Sequence, residues 1–273
     1  MKKLANIFYW VLSKRYSITI KGEDIIKKSG PKIYLPNHQA EVDPIVLLTV
    51  IQQYHKAAPM ISAAYYNIPI FKQFLDTLGA VPVSDLDMGV RDVNVMQNIS
   101  DAANKAFAKG DSILLYPSGH LCNQGYEKVE NKQSAYNIVK SSPSNLNIIG
   151  VRMSGFWGSI WSRAWMGKSP NFTNVLLKSI MWWFLNFIFF IPKRKIVFEF
   201  FDLTEEAKEK ARTLKRREFN EFLEKLYNKN GEEKIRYIKH HFLAPKIKRE
   251  IPKRIKGIIS NNLKDIEFKE LDQ

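Results

Sequence analysis

Apolar residues recur along this chain in two alternating rhythms. Short apolar runs at Tyr16 to Ile20, Ile33 to Leu35, Met60 to Ala63, Ala80 to Val83, Ser112 to Tyr116, Leu146 to Val151 and Ile196 to Phe201 read as strands. Between them, Pro44 to Gln53 predicts an apolar helix and Pro69 to Leu78 another. Val93, Met96, Ile99, Ala103 and Phe107 fall at three- and four-residue steps, the spacing of an amphipathic helix, and Gly110 stops it. Thr204 predicts an N-cap with Glu205 and Glu206 in the first turn of a charged helix reaching about Tyr227, which Asn230-Gly231 ends. Strands alternating with helices argue an α/β architecture, a mixed sheet with helices on both faces.

Two stretches are more apolar than this pattern needs. Leu4 to Leu12 follows Met1-Lys2-Lys3 as the core of a signal peptide would, but it is short and Ser13-Lys14-Arg15-Tyr16 is no cleavage site. It reads as an interfacial helix. Ser179 to Ile191 falls short of the roughly 20 residues of a spanning helix, and it has two readings. An aromatic stripe of this kind is often a buried core helix, whereas adjacent Trp182 and Trp183 favour a place in one leaflet of a membrane.

Composition narrows the class. With 45% hydrophobic and 25% charged residues, the 273-residue chain is ordinary globular material, long enough for a sizeable core, which excludes disorder and fibrous repeats. Lys and Arg number 42 against 27 Asp and Glu, a formal +15, so partners are expected to be anionic. Lys234 to Lys256 holds nine of the basic residues and one acidic residue, Glu250, and reads as a basic tail. A nucleic-acid partner is disfavoured, because the chain has no basic aromatic strand motif, zinc knuckle or Gly-rich recognition loop. The single cysteine, Cys122, excludes a disulfide framework and fits a reducing compartment.

Chemistry concentrates after two of the strands. Ile33 to Leu35 runs into Pro36-Asn37-His38-Gln39-Ala40-Glu41-Val42-Asp43-Pro44, which places a histidine at a strand's C-terminal end and a carboxylate at the head of the next helix. A carboxylate on one imidazole nitrogen fixes the tautomer and leaves the other free to take a proton from an alcohol. The same spacing also occurs in structural hydrogen bonds and helix caps. A second strand ends in Tyr116-Pro117-Ser118-Gly119-His120-Leu121-Cys122, a turn whose amides would face the edge reached by His38 and supply donors to an oxyanion. Cys122 with His120 makes a poor nucleophile and base, since residues two apart in a turn rarely converge. His120 and Cys122 also lack companions for a metal site. His55, His240 and His241 offer less.

These residues resemble the glycerolipid acyltransferase family, whose first motif is N-H-x4-D and whose third is a strand running into F-P-E-G-T-R. Here the two read Asn37-His38 to Asp43 and Tyr116 to Leu121. Leu78-Gly79-Ala80-Val81-Pro82-Val83 lies between them as a second block and Asn147 to Val151 stands as a fourth, so the resemblance covers about residues 16 to 203. Ser154 to Arg163 and Phe189 to Arg194 look like one subgroup, the acyltransferase part of bacterial fusions with an acyl-carrier-protein synthetase, of the 2-acylglycerophosphoethanolamine acyltransferase type. Leu223 to Phe242 looks like the region where those fusions continue into their ligase.

The resemblance implies the family's fold, association with a membrane, and transfer of an acyl chain from acyl carrier protein or coenzyme A to a lysophospholipid hydroxyl. His38 would be the general base and Asp43 its orienter, and no cofactor, metal or covalent enzyme intermediate is needed. Asn37, Ser118, Gly119 and His120 would contact substrate. Departures from the pattern matter for the acceptor: Asp85 and Leu121 stand where the family has arginines that bind a phosphate monoester, Ala63-Ala64 fills the neighbourhood of its lysine, and Ser118 replaces its glutamate. Losing such contacts weakens a dianionic monoester selectively. Lysophosphatidic acid is therefore the less favoured acceptor and a lysophospholipid with a substituted head group, such as lysophosphatidylethanolamine, the favoured one, with Arg91 or Arg152 as sources of replacement charge. A catalytically degenerate membrane protein is the rival class.

Three parts are expected: an interfacial helix over 1–15, an acyltransferase domain over 16–230 and a basic tail over 231–273. The setting is the cytoplasmic face of the inner membrane. The tail suits an anionic lipid surface, an acidic carrier protein or plain solvation.

Overall fold

A computed structural model describes residues 2–62, 66, 72, 73, 75, 76, 79–83, 95–122 and 125–248. Helix α1 (Lys2–Arg15) leads directly into strand β1 (Tyr16–Lys21), followed by the short α2 (Glu23–Lys27), β2 (Lys32–Pro36), α3 (Asp43–Ile51) and β3 (Ala57–Ser62). Next come β4 (Val81–Val83), α4 (Val95–Ala108), β5 (Ser112–Leu114), α5 (Ser134–Ser141), β6 (Asn147–Ser154), α6 (Arg163–Met166), α7 (Phe172–Leu185), β7 (Arg194–Asp202), α8 (Thr204–Thr213) and α9 (Arg216–Tyr227). The expected helix Pro69 to Leu78 lies largely outside the described residues, as do Arg91, Asp85 and Ala63-Ala64.

The strands form one seven-stranded sheet in the order β1-β7-β6-β2-β5-β3-β4. Every pairing is parallel except β6 with β7, so the sheet is mixed, as the alternation of strands and helices predicts. β2 sits at its centre with all five residues buried, the continuous burial of a parallel strand covered on both faces. β1, at the edge, alternates between more and less buried positions instead. One face packs Tyr34, Leu114, Ile149 and Val151 against α3 and parts of α1 and α7. The other packs Ile33, Leu35, Ile113 and Ile148 against α4, α5, α8 and α9. Val46, Leu47, Val50 and Ile51 of α3 are completely buried, each stabilising the fold by roughly 1.5–3 kcal/mol. Gly110 ends α4 in the left-handed region (φ 74), as its position predicts.

The structure departs from expectation at two places, and it removes one of the two readings of Ser179 to Ile191. The single charged helix after Thr204 is two, because Leu214 and Lys215 are extended and break it. Thr204 is the first helical residue rather than the cap. Leu203 holds the cap position, and the Asp202 carboxylate before it accepts from Thr204 N and Oγ1. The run Ser179 to Ile191 is no core helix: within α7 only Phe172 is buried, and Leu177, Phe184, Phe187, Phe189 and Phe190 are exposed.

Residues 231–244 lie against the domain. Glu233 N donates to Gly125 O, Arg194 Nη2 to Arg236 O and Asn186 Nδ2 to His240 O. Asn186 is wholly buried and its Oδ1 accepts from Phe242 N, which fixes the aromatic turn that follows α7. Gly158 permits one close approach: at φ 89, a Cβ would stand 2.6 Å from Arg236 O. Gly158→Ala is expected to cost at least about 2 kcal/mol, from strain and from displacement of the 231–244 segment. Chemical denaturation with limited proteolysis checks this, cleavage within that segment rising as stability falls.

Candidate active site

Loop 37–42 leaves the central strand and turns into α3, and it is tied at almost every residue. Asn37 extends the β2–β6 ladder with its side chain, Nδ2 donating to Met153 O (3.1 Å) and Oδ1 accepting from Met153 N (2.6 Å). His38 donates its N–H to Glu127 Oε2 (2.8 Å) and accepts at its carbonyl from Cys122 N (2.7 Å). Gln39 joins Phe156 N to the Glu233 carboxylate, and Glu41 N donates to Trp161 O. A loop held this way presents its histidine in one orientation.

Asp43 is fully buried at the first turn of α3, with Pro44 behind it. Its Oδ2 accepts from Gln39 N (2.7 Å) and Ala40 N (2.8 Å), while Oδ1 stands 3.1 Å from His38 Nδ1. Two amide donors and the imidazole satisfy the carboxylate where water cannot. The Nδ1–H tautomer is the one an ionised Asp43 selects, which leaves Nε2 as acceptor. The ring keeps 14% of its side-chain surface exposed, and Tyr116 packs on it with centroids 4.3 Å apart. Burial alone would lower the His38 pKa, but the Asp43 charge, with smaller help from Glu41 and Glu127, outweighs it and the net shift is upward.

The Ser118–Cys122 turn lies beside this loop, but its groups are largely committed. Gly119 adopts φ 64 and its N–H donates to Tyr116 O, so that amide is not the oxyanion donor expected from sequence. Ser118 is wholly buried, with Oγ donating to His120 O. His120 Nδ1 sits 3.2 Å from Leu121 O, and burial lowers its pKa. Burial also pushes the Cys122 thiol well above its ordinary value, the reverse of what a nucleophile needs. Asn37 is committed to Met153 at both ends of its amide, so it positions the loop. Arg152 is bound through Nε and Nη2 to Glu199 Oε2 (3.2 and 2.6 Å), which neutralises the charge expected to meet an acceptor phosphate. Among the minor histidines, His55 pairs with Tyr34 Oη at 2.6 Å, and burial pushes its pKa to about 4.

Sequence reasoning missed Glu127 and Glu233. Both line a polar cavity of about 310 Å³ behind the loop, together with Asn37, Gln39, Arg152 and Glu199. Glu127 is 2% exposed, and burial pushes its pKa up to about 7, although the His38 amide favours its charged form. Burial likewise raises that of Glu233. Glu127 lies 89 residues from His38 in a stretch without periodicity, so no local pattern marks it. Among the described residues no cluster of His, Cys, Asp or Glu could hold a metal ion.

The fold thus places a histidine held by a buried carboxylate at the carboxyl end of a central parallel strand of an α/β protein. A family model described as Acyltransferase matches residues 17–154, just over half of the chain and the whole stretch from β1 through β6, and the chain belongs to that family. No curated protein matches it. Among solved structures, the crystal structure of the 1-acyl-sn-glycerophosphate (LPA) acyltransferase PlsC from Thermotoga maritima is similar, with a TM-score of 0.49 and 15% identity over 84% of this chain and 76% of that one.

The raised pKa of Glu127 carries a stability consequence. Because the folded state binds this proton more tightly than the unfolded chain, its contribution is full below about pH 4.5 and is lost as pH rises through about 7. Glu127→Gln keeps an acceptor for the His38 amide and removes the buried charge. The variant is expected to gain about 2 kcal/mol at about pH 8 and little at about pH 4.5, read from urea denaturation at both.

Proposed function

We propose that this acyltransferase moves an acyl chain from an acyl thioester, acyl-ACP or acyl-CoA, to the free hydroxyl of a lysophospholipid, with His38 as general base and Asp43 as its orienter. The observation that carries this reading is the His38 Nδ1 contact to a wholly buried Asp43, which leaves Nε2 as the acceptor nitrogen. Nε2 takes the hydroxyl proton as the acceptor oxygen attacks the thioester carbonyl. The tetrahedral intermediate collapses with loss of the thiolate, and the imidazolium returns the proton to sulfur. Asp43 stabilises the imidazolium between those steps. This ordered pair favours an active enzyme over a degenerate relative.

The acceptor proposal rests on charge. Leu121 is buried and apolar, and Arg152 is held by Glu199, so neither offers a cation to a phosphate monoester. A lysophospholipid with a substituted head group, lysophosphatidylethanolamine foremost, suits the site better than lysophosphatidic acid. Transfer with purified protein against a panel of lysolipids is expected to favour the former by about tenfold or more, the equivalent of one charge-assisted contact. His38→Ala should lower transfer to every acceptor by at least about a hundredfold. A preference for lysophosphatidic acid would overturn the acceptor assignment alone, and an unimpaired His38→Ala the mechanism.

The setting we propose is the cytoplasmic face of an anionic membrane, with the protein lying on the bilayer. Phe184, Phe187, Phe189 and Phe190 are 62–70% exposed, and Ile7 and Trp10 of α1 are exposed as well. Lys14 lies over the rings of Trp10 (4.5 Å) and Phe189 (5.4 Å), a cation at the border of an apolar patch. No helix among the described residues is long and apolar enough to cross a membrane. Replacing Phe187, Phe189 and Phe190 by Ser is expected to abolish sedimentation with anionic vesicles while detergent-dispersed substrate is still turned over.

A further inference from the structure

Between α1 and α7 lies a second cavity, of about 430 Å³, whose walls are almost entirely apolar. His38 is not among its residues; Val42 and Ile45, which flank Asp43, are. Its open side carries Ile180, 45% exposed. Its closed side is different in kind. Arg194 is 1% exposed and Ser159 4% exposed, and Arg15 joins them in the wall.

The hydrogen bonding of this polar group is incomplete. Arg194 gives Nη1 to Gly155 O (2.7 Å) and Nη2 to Arg236 O (2.8 Å), and its Nε–H has no partner. The Ser159 hydroxyl has none either. Arg15 Nη1 meets only the carbonyls of Pro192 and Lys239. Among the described residues no carboxylate lies within ion-pair distance of either guanidinium. Burial pushes the Arg194 pKa down to about 10, so it remains charged at neutral pH, with the Glu233 carboxylate near enough to favour that charge but not to pair with it. A buried guanidinium with an unmet donor and no direct ion pair is costly unless an anion completes it.

From this arrangement we infer that the cavity is a binding site for a long-chain amphiphile ending in an anionic oxygen group, its chain between α1 and α7 and its head on Arg194 Nε, Ser159 Oγ and Arg15. The site stands apart from His38 and does not depend on the acyl-transfer reading. A free fatty-acid carboxylate and a lipid phosphate share the required chemistry.

Trp161, Trp182 and Trp183 line the cavity and report on it. Purified full-length protein in nonionic detergent is titrated with 9,10-dibromostearate, with a dibromo-acyl lysophosphatidic acid and with 9,10-dibromostearyl alcohol, and quenching of tryptophan fluorescence is read. One or both anionic lipids should bind at least about tenfold more tightly than the alcohol, and which of them does so identifies the source of the head group. Arg194→Met removes the contacts to the carbonyls of Gly155, Trp157 and Arg236 and risks the fold, so the decisive variant is Ser159→Ala with Arg15→Gln, which should cut the tenfold preference to about threefold or less with Arg194 in place. Leu176→Phe, which fills the chain space, should weaken all three ligands together. Equal affinity for acid and alcohol, or a preference undiminished in the double variant, overturns the inference, as does absence of saturable quenching.

Discussion

The Asp43 carboxylate is the constraint around which this molecule is arranged. It is wholly buried, so every lone pair it turns inward must find a donor. Gln39 N, Ala40 N and His38 Nδ1 supply them, and all three belong to the loop that carries the carboxylate. The loop therefore curls back on the start of α3, where the helix dipole also favours negative charge. Because α3 is anchored by four wholly buried aliphatic residues, the carboxylate cannot move to water without lifting the helix from the sheet. The orientation of His38 follows from the packing of α3.

Three acids surround the loop, Asp43 and Glu127 buried and Glu233 half-buried, and their partners differ in ways that suit different tasks. Asp43 faces two amides and an imidazole. Glu127 has the His38 amide on one oxygen, and its pKa rises to about 7. Glu233 accepts from Gln39 Nε2 (2.6 Å) and Gly155 N (2.7 Å) and pins the far side of the loop to the segment that follows α9. The side of the loop away from the His38 imidazole is thus braced by carboxylates that touch backbone or amide groups. Such an arrangement fixes the position of the loop.

The His38–Asp43 pair was legible in the sequence because it is local: five residues, one strand end and one helix start specify it. The mixed sheet was legible too, since period-two and helical rhythms alternate from Tyr16 to Phe201. What escaped depends on distance. Asn37 reads as a substrate contact until Met153, 116 residues away, is seen to occupy both ends of its amide. Glu127 and Glu233 sit in stretches with no periodicity to mark them. Leu214 and Lys215 break a charged helix without glycine or proline, because α8 and α9 pack separately against the sheet. The aromatic run after Ser179 was ambiguous, since a stripe of apolar residues specifies burial without naming what does the burying. In this fold most of that stripe faces outward.

Helix α3 joins the candidate site to the apolar cavity. One side of its first turn gives Asp43 to His38, and residues 42 and 45 face the apolar cavity between α1 and α7. On the proposed reading, the substrates are amphiphiles whose reacting groups must reach a fixed base while their chains remain out of water. A rigid helix that carries the orienter of the base on one side and apolar wall on another keeps the level of the reacting oxygen constant relative to the chains. The exposed rings of Phe184, Phe187, Phe189 and Phe190 lie at the end of α7, the opposite wall of the same cavity. Depth in the bilayer and placement of the hydroxyl are then parts of one geometry, set by how α1 and α7 flank α3.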